Sequence, residues 1–195
     1  MPRKITYNAP VVLTFSLLSL AVLLLGDVTA GVATAKFFTL KFTAFNDPLL
    51  YLRLFTYVLG HADWAHYSGN MMLLLLTGPM LEEKYGSRQL LTMVIFTAAT
   101  TGVLHLALLP GVAVLGASGI VFAFILLASI TGSGERQIPL TLIVVAVIYL
   151  GGEVLSGAFA DDSISQLSHI IGGVTGCGFG YVFKPHKRAK AVEAR

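Results

Sequence analysis

Charged side chains are scarce in this sequence: Asp, Glu, Lys and Arg make up 12% of 195 residues. A water-soluble domain of this length needs a charged skin, and the residues to build one are missing. The balance of 13 basic against 10 acidic residues leaves a formal charge of only +3. So small an excess does not suggest nucleic acid as a partner. Cysteine is nearly absent, and the single Cys177 excludes an intramolecular disulfide. Its expected role is small, soft packing. Internal repeats and low-complexity segments are not evident, and the length leaves little room for a second, soluble domain.

What is abundant is apolar: 55% of the residues, gathered in long runs. A run of about 20 residues is what a helix needs to cross a hydrocarbon core of roughly 30 Å. Helices are expected because every backbone polar group in lipid must be satisfied within its own segment. The sequence therefore reads as an all-α polytopic membrane protein, a single membrane-embedded domain over 1–195. Six spanning segments are expected at 10–26, 66–82, 89–109, 118–132, 138–156 and 167–183, followed by a basic tail at 184–195. Arg3, Lys4 and the apolar stretch from Val11 to Leu25 imitate a secretion signal. The small-residue site Ala33-Thr34-Ala35 lies well beyond that stretch, so retention as a first membrane helix is the expectation.

Basic residues set the orientation. With both termini cytoplasmic, inside segments hold ten of them (Arg3, Lys4, Lys84, Arg88, Arg136, Lys184, Lys187, Arg188, Lys190, Arg195). Outside segments hold three, Lys36, Lys41 and Arg53. That bias follows the positive-inside rule and favours an even number of spans. The first outside loop, from Asp27 to Ala65, is rich in Phe, Leu and Tyr and is expected to lie in the membrane interface. The fourth segment is broken from the third by Pro110, Gly111, Gly116 and Gly119. Irregular backbone at membrane depth is tolerated where it is packed in protein or lines a wet cavity, so a site is sought there first.

Ionisable and polar groups inside spans are costly and tend to face a cavity or a partner. The candidates are His66, Asn70, His105, Glu153 and His169, with Ser118 opening the fourth segment. At about 1.5 Å per residue, Asn70 lies about 18 Å above Glu82 and His66 about 24 Å. Ser118 lies about 21 Å above Gly132, and His169 about 22 Å above Lys184. Four polar groups on three segments thus share one level, and His66 and Asn70, four apart, share a helix face. Glycines flanking Ser118 allow a tight turn and close approach by a bound chain. A nucleophilic serine needs a base, and His169 is the histidine at matching depth. Gly172, Gly173 and Gly176 would let its helix pack closely enough to reach. His66, Asn70 and the Ser118 N–H can supply oxyanion donors. Bland readings stand beside these: a G-x-S-G tetrapeptide alone is weak, His105 suits a packed, hydrogen-bonded histidine, and Glu153 suits a solvated helix end.

The run from His61 to Asn70 (His-Ala-Asp-Trp-Ala-His-Tyr-Ser-Gly-Asn), Gly116-Ala117-Ser118-Gly119, and Ser168-His169-Ile170-Ile171-Gly172 follow one another in the chain. Together they resemble the rhomboid family of intramembrane serine proteases, whose patterns are H-x4-H-x3-N, G-x-S-G and A-H-x-x-G-x3-G. The resemblance covers roughly residues 50 to 183, and Arg53, Glu82 and Gly86 are further matches. Departures are Leu52 for a tryptophan, Phe122 for a tyrosine one turn after the serine, and Ser168 for an alanine. The resemblance implies a bacterial-type core of six membrane helices in a bacterial or archaeal cell membrane, with a wet site below the outer surface. It implies Ser118 as nucleophile, His169 as base and later acid, and an oxyanion hole of His66, Asn70 and the Ser118 N–H. His61, Arg53, Glu82, Gly116, Gly119, Phe122, Gly172 and Gly176 take supporting places. Substrates would be membrane proteins cut in or near a transmembrane helix, within the lipid bilayer and without metal or cofactor. Two other classes compete: an ion relay through His66, His105 and His169, short of carboxylates at depth, and a non-catalytic binder of membrane clients.

Overall fold

The computed structural model describes residues 6–131 and 163–183, with positions 140, 143, 144 and 147 between them. All of the regular structure described is helical. The order is α1 (Pro10–Val28), α2 (Val32–Phe37), α3 (Pro48–Thr56), a 3-10 turn (Tyr57–Leu59), α4 (Trp64–Tyr85), α5 (Ser87–Leu108), α6 (Ser118–Ile130) and α7 (Ser163–Val182).

The first, second, third, fourth and sixth expected segments overlap α1, α4, α5, α6 and α7. The fifth, 138–156, falls outside the described residues apart from those isolated positions, as do Glu153, Arg136 and the tail. Among the described residues, α1 and α5 are the helices long and apolar enough to cross a membrane. At 13 residues α6 is about 20 Å long, short of a full crossing. Its placement explains its composition. Gly119 through Leu127 are all buried, as expected for a helix apolar all round. It forms the axis of the fold, with α4, α5 and α7 packed against it. The outer helices turn apolar side chains outward instead, such as Leu17 and Leu24 on α1, Met72 and Leu76 on α4, and Ile95 and Phe96 on α5. Apolar surface of that extent suits lipid, and the protein is a membrane protein.

Helix ends follow local chemistry. Pro10 opens α1, where its missing N–H costs nothing. The next two N–H groups, of Val11 and Val12, donate to the two carboxylate oxygens of Glu82 at 2.9 and 3.0 Å. Glu82 is 4% exposed and lies within α4, which continues to Tyr85 beyond the expected end at 82. A carboxylate at the positive end of α1 therefore ties the first helix to the fourth. Gly86, at φ 84°, then breaks the chain between α4 and α5. Asp63 caps α4 by accepting from the His66 N–H at 2.7 Å.

The segment from 27 to 65 is more ordered than a loop. Asp47 caps α3 through the Leu49 N–H, and also accepts from the Thr43 hydroxyl. Those two bonds, with Arg53 nearby, hold its carboxyl below the usual range. Arg53 itself pairs with Asp47 at 3.4 Å and donates from Nε to the Lys36 carbonyl at 2.8 Å, joining α3 to α2. Phe45, Tyr51, Leu52 and Phe55 are left exposed, a face suited to an interface. Farther along, Leu40 and Val114 exchange both backbone hydrogen bonds, so this segment holds the α5–α6 loop.

Among the described helices, α6 and α7 approach most closely. A Cβ on Gly172 would fall on the Gly119 carbonyl, and one on Gly176 on the Ala123 carbonyl. Backbones meet there with no side chain between them. Gly176→Ala is expected to lower stability by about 1–3 kcal/mol through forced separation. The control is Gly178→Ala, where no described atom lies within 4 Å of the added carbon. Equal thermal midpoints for the two variants in detergent would refute this packing. Glu82→Ala should cost about 1–2 kcal/mol in the same assay by uncapping α1, with Glu82→Gln intermediate.

Candidate active site

Ser118 is placed by a backbone that turns sharply before α6. Gly116 has φ +123°, a conformation that disfavours any side chain, and donates its N–H to the Tyr57 carbonyl at 3.0 Å. Ala117 follows as the helix cap, and Ser118 is the first residue of α6. The first N–H groups of a helix have no intrahelical acceptor, so the one beside the Ser118 hydroxyl faces outward with the positive end of the dipole.

Gly116 serves a second purpose. A Cβ there would sit 2.8 Å from both Cε1 and Nε2 of His66. The imidazole thus lies directly against the turn that presents Ser118. Asn70 follows one helical turn along α4 and is 8% exposed. Its Nδ2 is buried without a hydrogen-bond partner among the described residues. An unpaired buried donor costs about 1–3 kcal/mol, and this one lies beside Gly116, in the turn that presents Ser118.

His169 arrives from α7. The glycine contact fixes its height: Gly172 abuts Gly119, and the Ser168 carbonyl would be 3.3 Å from a Cβ on Gly119. The turn carrying His169 therefore lies alongside the first turn of α6. Its ring stacks on Phe122, with centroids 4.1 Å apart and planes 8° from parallel. The phenylalanine orients the imidazole by its face alone, with no hydroxyl to contribute.

These residues border one cavity of about 500 Å³. His66, Asn70, Ser118 and His169 all line it, as do Phe122 and Ser168. Leu73, Val121 and the extended stretch 113–115 make its apolar wall. A serine, an imidazole and convergent N–H donors in an apolar recess are the parts required for acyl transfer.

Other sequence candidates lie elsewhere. His105 is 0% exposed, and its Nε2 bonds the Val112 carbonyl at 2.9 Å, steadying the α5–α6 loop away from the cavity lining. A three-histidine relay thus lacks its middle member. Arg53 ties α2 to α3, Glu82 caps α1, and Cys177 is half-buried on α7. His61 packs beside the site: its ring lies edge-to-face against His66, centroids 5.0 Å apart. Burial, more than the neighbouring His66, pushes its imidazole down to about 4. His61 is neutral near pH 7.

Residues overlooked from the sequence are Asp63, Tyr67 and the 113–115 wall. Asp63 carried a signal, an aspartate three residues before His66 at a helix start. Tyr67, which packs on His61 and bonds the Ser16 carbonyl at 3.2 Å, carried none. The wall depends on the Leu40–Val114 pairing, a contact between distant segments.

The chain is similar to Rhomboid-related protein 1 of Caenorhabditis elegans, with 31% identity over 140 residues. The match spans 67% of this chain but 39% of that relative, so less than half of the relative is represented. The Rhomboid domain pattern matches residues 49–186, from α3 through α7. The chain belongs to the rhomboid family.

Proposed function

We propose that this protein is an intramembrane serine endopeptidase acting through a Ser118–His169 dyad. The observation that carries the reading is the convergence of Ser118, His169, His66 and Asn70, from α4, α6 and α7, on one cavity. Membership of the rhomboid family supports it. So does the Asn70 amide, which lines the cavity and has no partner among the described residues.

In this reading the Ser118 Oγ attacks the carbonyl carbon of a peptide bond while His169 takes its proton. The tetrahedral intermediate places its oxyanion toward the Ser118 N–H, the Asn70 Nδ2 and His66. His169 then protonates the departing amine, and water hydrolyses the acyl-enzyme by the same route in reverse. Phe122 keeps the imidazole in plane, the orienting task an aspartate performs in soluble triads. Substrates are membrane proteins cut in or near a transmembrane helix, because a peptide bond must unwind before it can enter the recess. The six apolar runs of the sequence fit a core of six membrane helices, and the distribution of basic residues fits two cytoplasmic termini.

The ion relay is disfavoured by the position of His105, and the non-catalytic binder by the presence of both dyad residues. Ser118→Ala is expected to abolish cleavage of a model transmembrane substrate in proteoliposomes while leaving the thermal midpoint near wild type. A serine-directed fluorophosphonate should label the wild type at Ser118 and neither Ser118→Ala nor His169→Ala. Cleavage by purified Ser118→Ala would end the proposal. Asn70→Ala should reduce kcat by at most about 10²–10³, the range for one oxyanion donor of about 2.7–4 kcal/mol, because two donors remain.

A further inference from the structure

The dyad and the oxyanion donors leave His61 without a task, yet it is 2% exposed. It lies in the short link between the 3-10 turn and α4. Its Nδ1 faces the Leu59 carbonyl at 3.2 Å. A carbonyl only accepts, so the proton sits on Nδ1 and the neutral ring leaves Nε2 as an acceptor. That Nε2 is buried and has no partner among the described residues. The ring meets two others edge-on: His66 at 5.0 Å and 69°, and Tyr67 at 5.5 Å and 86°. Tyr67 is in turn anchored on α1 by its bond to the Ser16 carbonyl.

The His66 side chain needs such support. Its backbone N–H is used in the Asp63 cap, which fixes the Cα but not the ring. Among the described residues the ring meets the Ala62 N–H, which reaches its Nδ1 only at 3.5 Å, Gly116, which bears no side chain, and the edge of His61. An oxyanion donor must be held within roughly 0.5 Å and 10–20° of its working geometry, and packing of neighbouring rings is how that is achieved. We infer that His61 is a positioning residue: its ring, fixed by Leu59 and Tyr67, sets the His66 imidazole for donation to the oxyanion. The inference rests on the protease reading above and adds a residue that touches neither substrate nor nucleophile.

A double-mutant cycle separates positioning from general stability. Cleavage of a transmembrane substrate, fluorophosphonate labelling rate and thermal midpoint would be measured for wild type, His61→Ala, His66→Ala and the double variant. His61→Ala is expected to lower kcat about tenfold or more with KM within about twofold, and labelling should slow in parallel. Added to His66→Ala it should cost no more than about twofold, since its effect passes through a ring already removed. Losses that simply multiply, or an unchanged kcat in folded His61→Ala, overturn the inference. If His61→Ala does not fold, His61→Phe and His61→Leu take its place, since both fill the space but only the former offers a ring edge. Recovery of kcat by Phe over Leu supports positioning, and equal values refute it. A wild type that is not labelled at Ser118 breaks the protease reading itself, whereas a labelled wild type with multiplying losses breaks this inference alone.

Discussion

Two helices far apart in the chain have to touch backbone to backbone before anything at the site can exist. Lipid tails are as apolar as leucine, so apolar burial does little to drive helices together in a membrane. Close van der Waals packing and interhelical polar contacts do that work instead. Gly172 and Gly176 on α7 meet the carbonyls of Gly119 and Ala123 on α6, and a single methyl at either glycine would collide with backbone. The His169 turn is aligned with the first turn of α6 by this contact, and the Phe122–His169 stack follows from it. Shifting α7 by one turn would move the imidazole about 5.4 Å from that level.

Around that contact the fold keeps polar groups in positions that cost it stability. Asn70 is buried with its amide nitrogen unpartnered among the described residues, and Gly116 holds a backbone conformation that other residues resist. Such local violations are expected where chemistry has to be prepared in advance, because a donor already bonded to the protein cannot bond to developing charge. The surrounding wall of Leu73, Val121 and the 113–115 stretch lowers the local dielectric, strengthening each polar interaction within.

The supporting framework lies at a distance from the cavity. Glu82 fastens the start of α1 to the far end of α4, the helix that carries His66 and Asn70. Tyr67 fastens the near end of α4 to α1 again through Ser16. The segment before α4 reaches the loop before α6 by the Leu40–Val114 pair and by the Tyr57 carbonyl on the Gly116 N–H. The short α6 is thus held along one side by the glycines of α7 and, just before its start, by the backbone hydrogen bonds of the preceding loop. Its near-complete burial makes it the least free element described.

Much of this was legible in one dimension. Long apolar runs separated by Gly and Pro marked α1, α4, α5 and α6, and scarce polar residues at matching depth picked out His66, Asn70, Ser118 and His169. Helix periodicity sufficed because depth along a helix is a local quantity, fixed at 1.5 Å per residue. The end of α4, placed at 82, was missed because Glu82, Glu83 and Lys84 read as the polar edge of a span, whereas the Glu82 carboxylate is bonded to α1. The helices within 27–65, the contact between His61 and His66, and the wall at 113–115 left no periodic trace. Residue type and spacing determined which groups are costly to bury and roughly how high each one sits. Tertiary structure alone decided which of them meet, because contacts between distant segments depend on shape and on atoms that are missing, such as the Cβ of a glycine, and no local pattern encodes the partner.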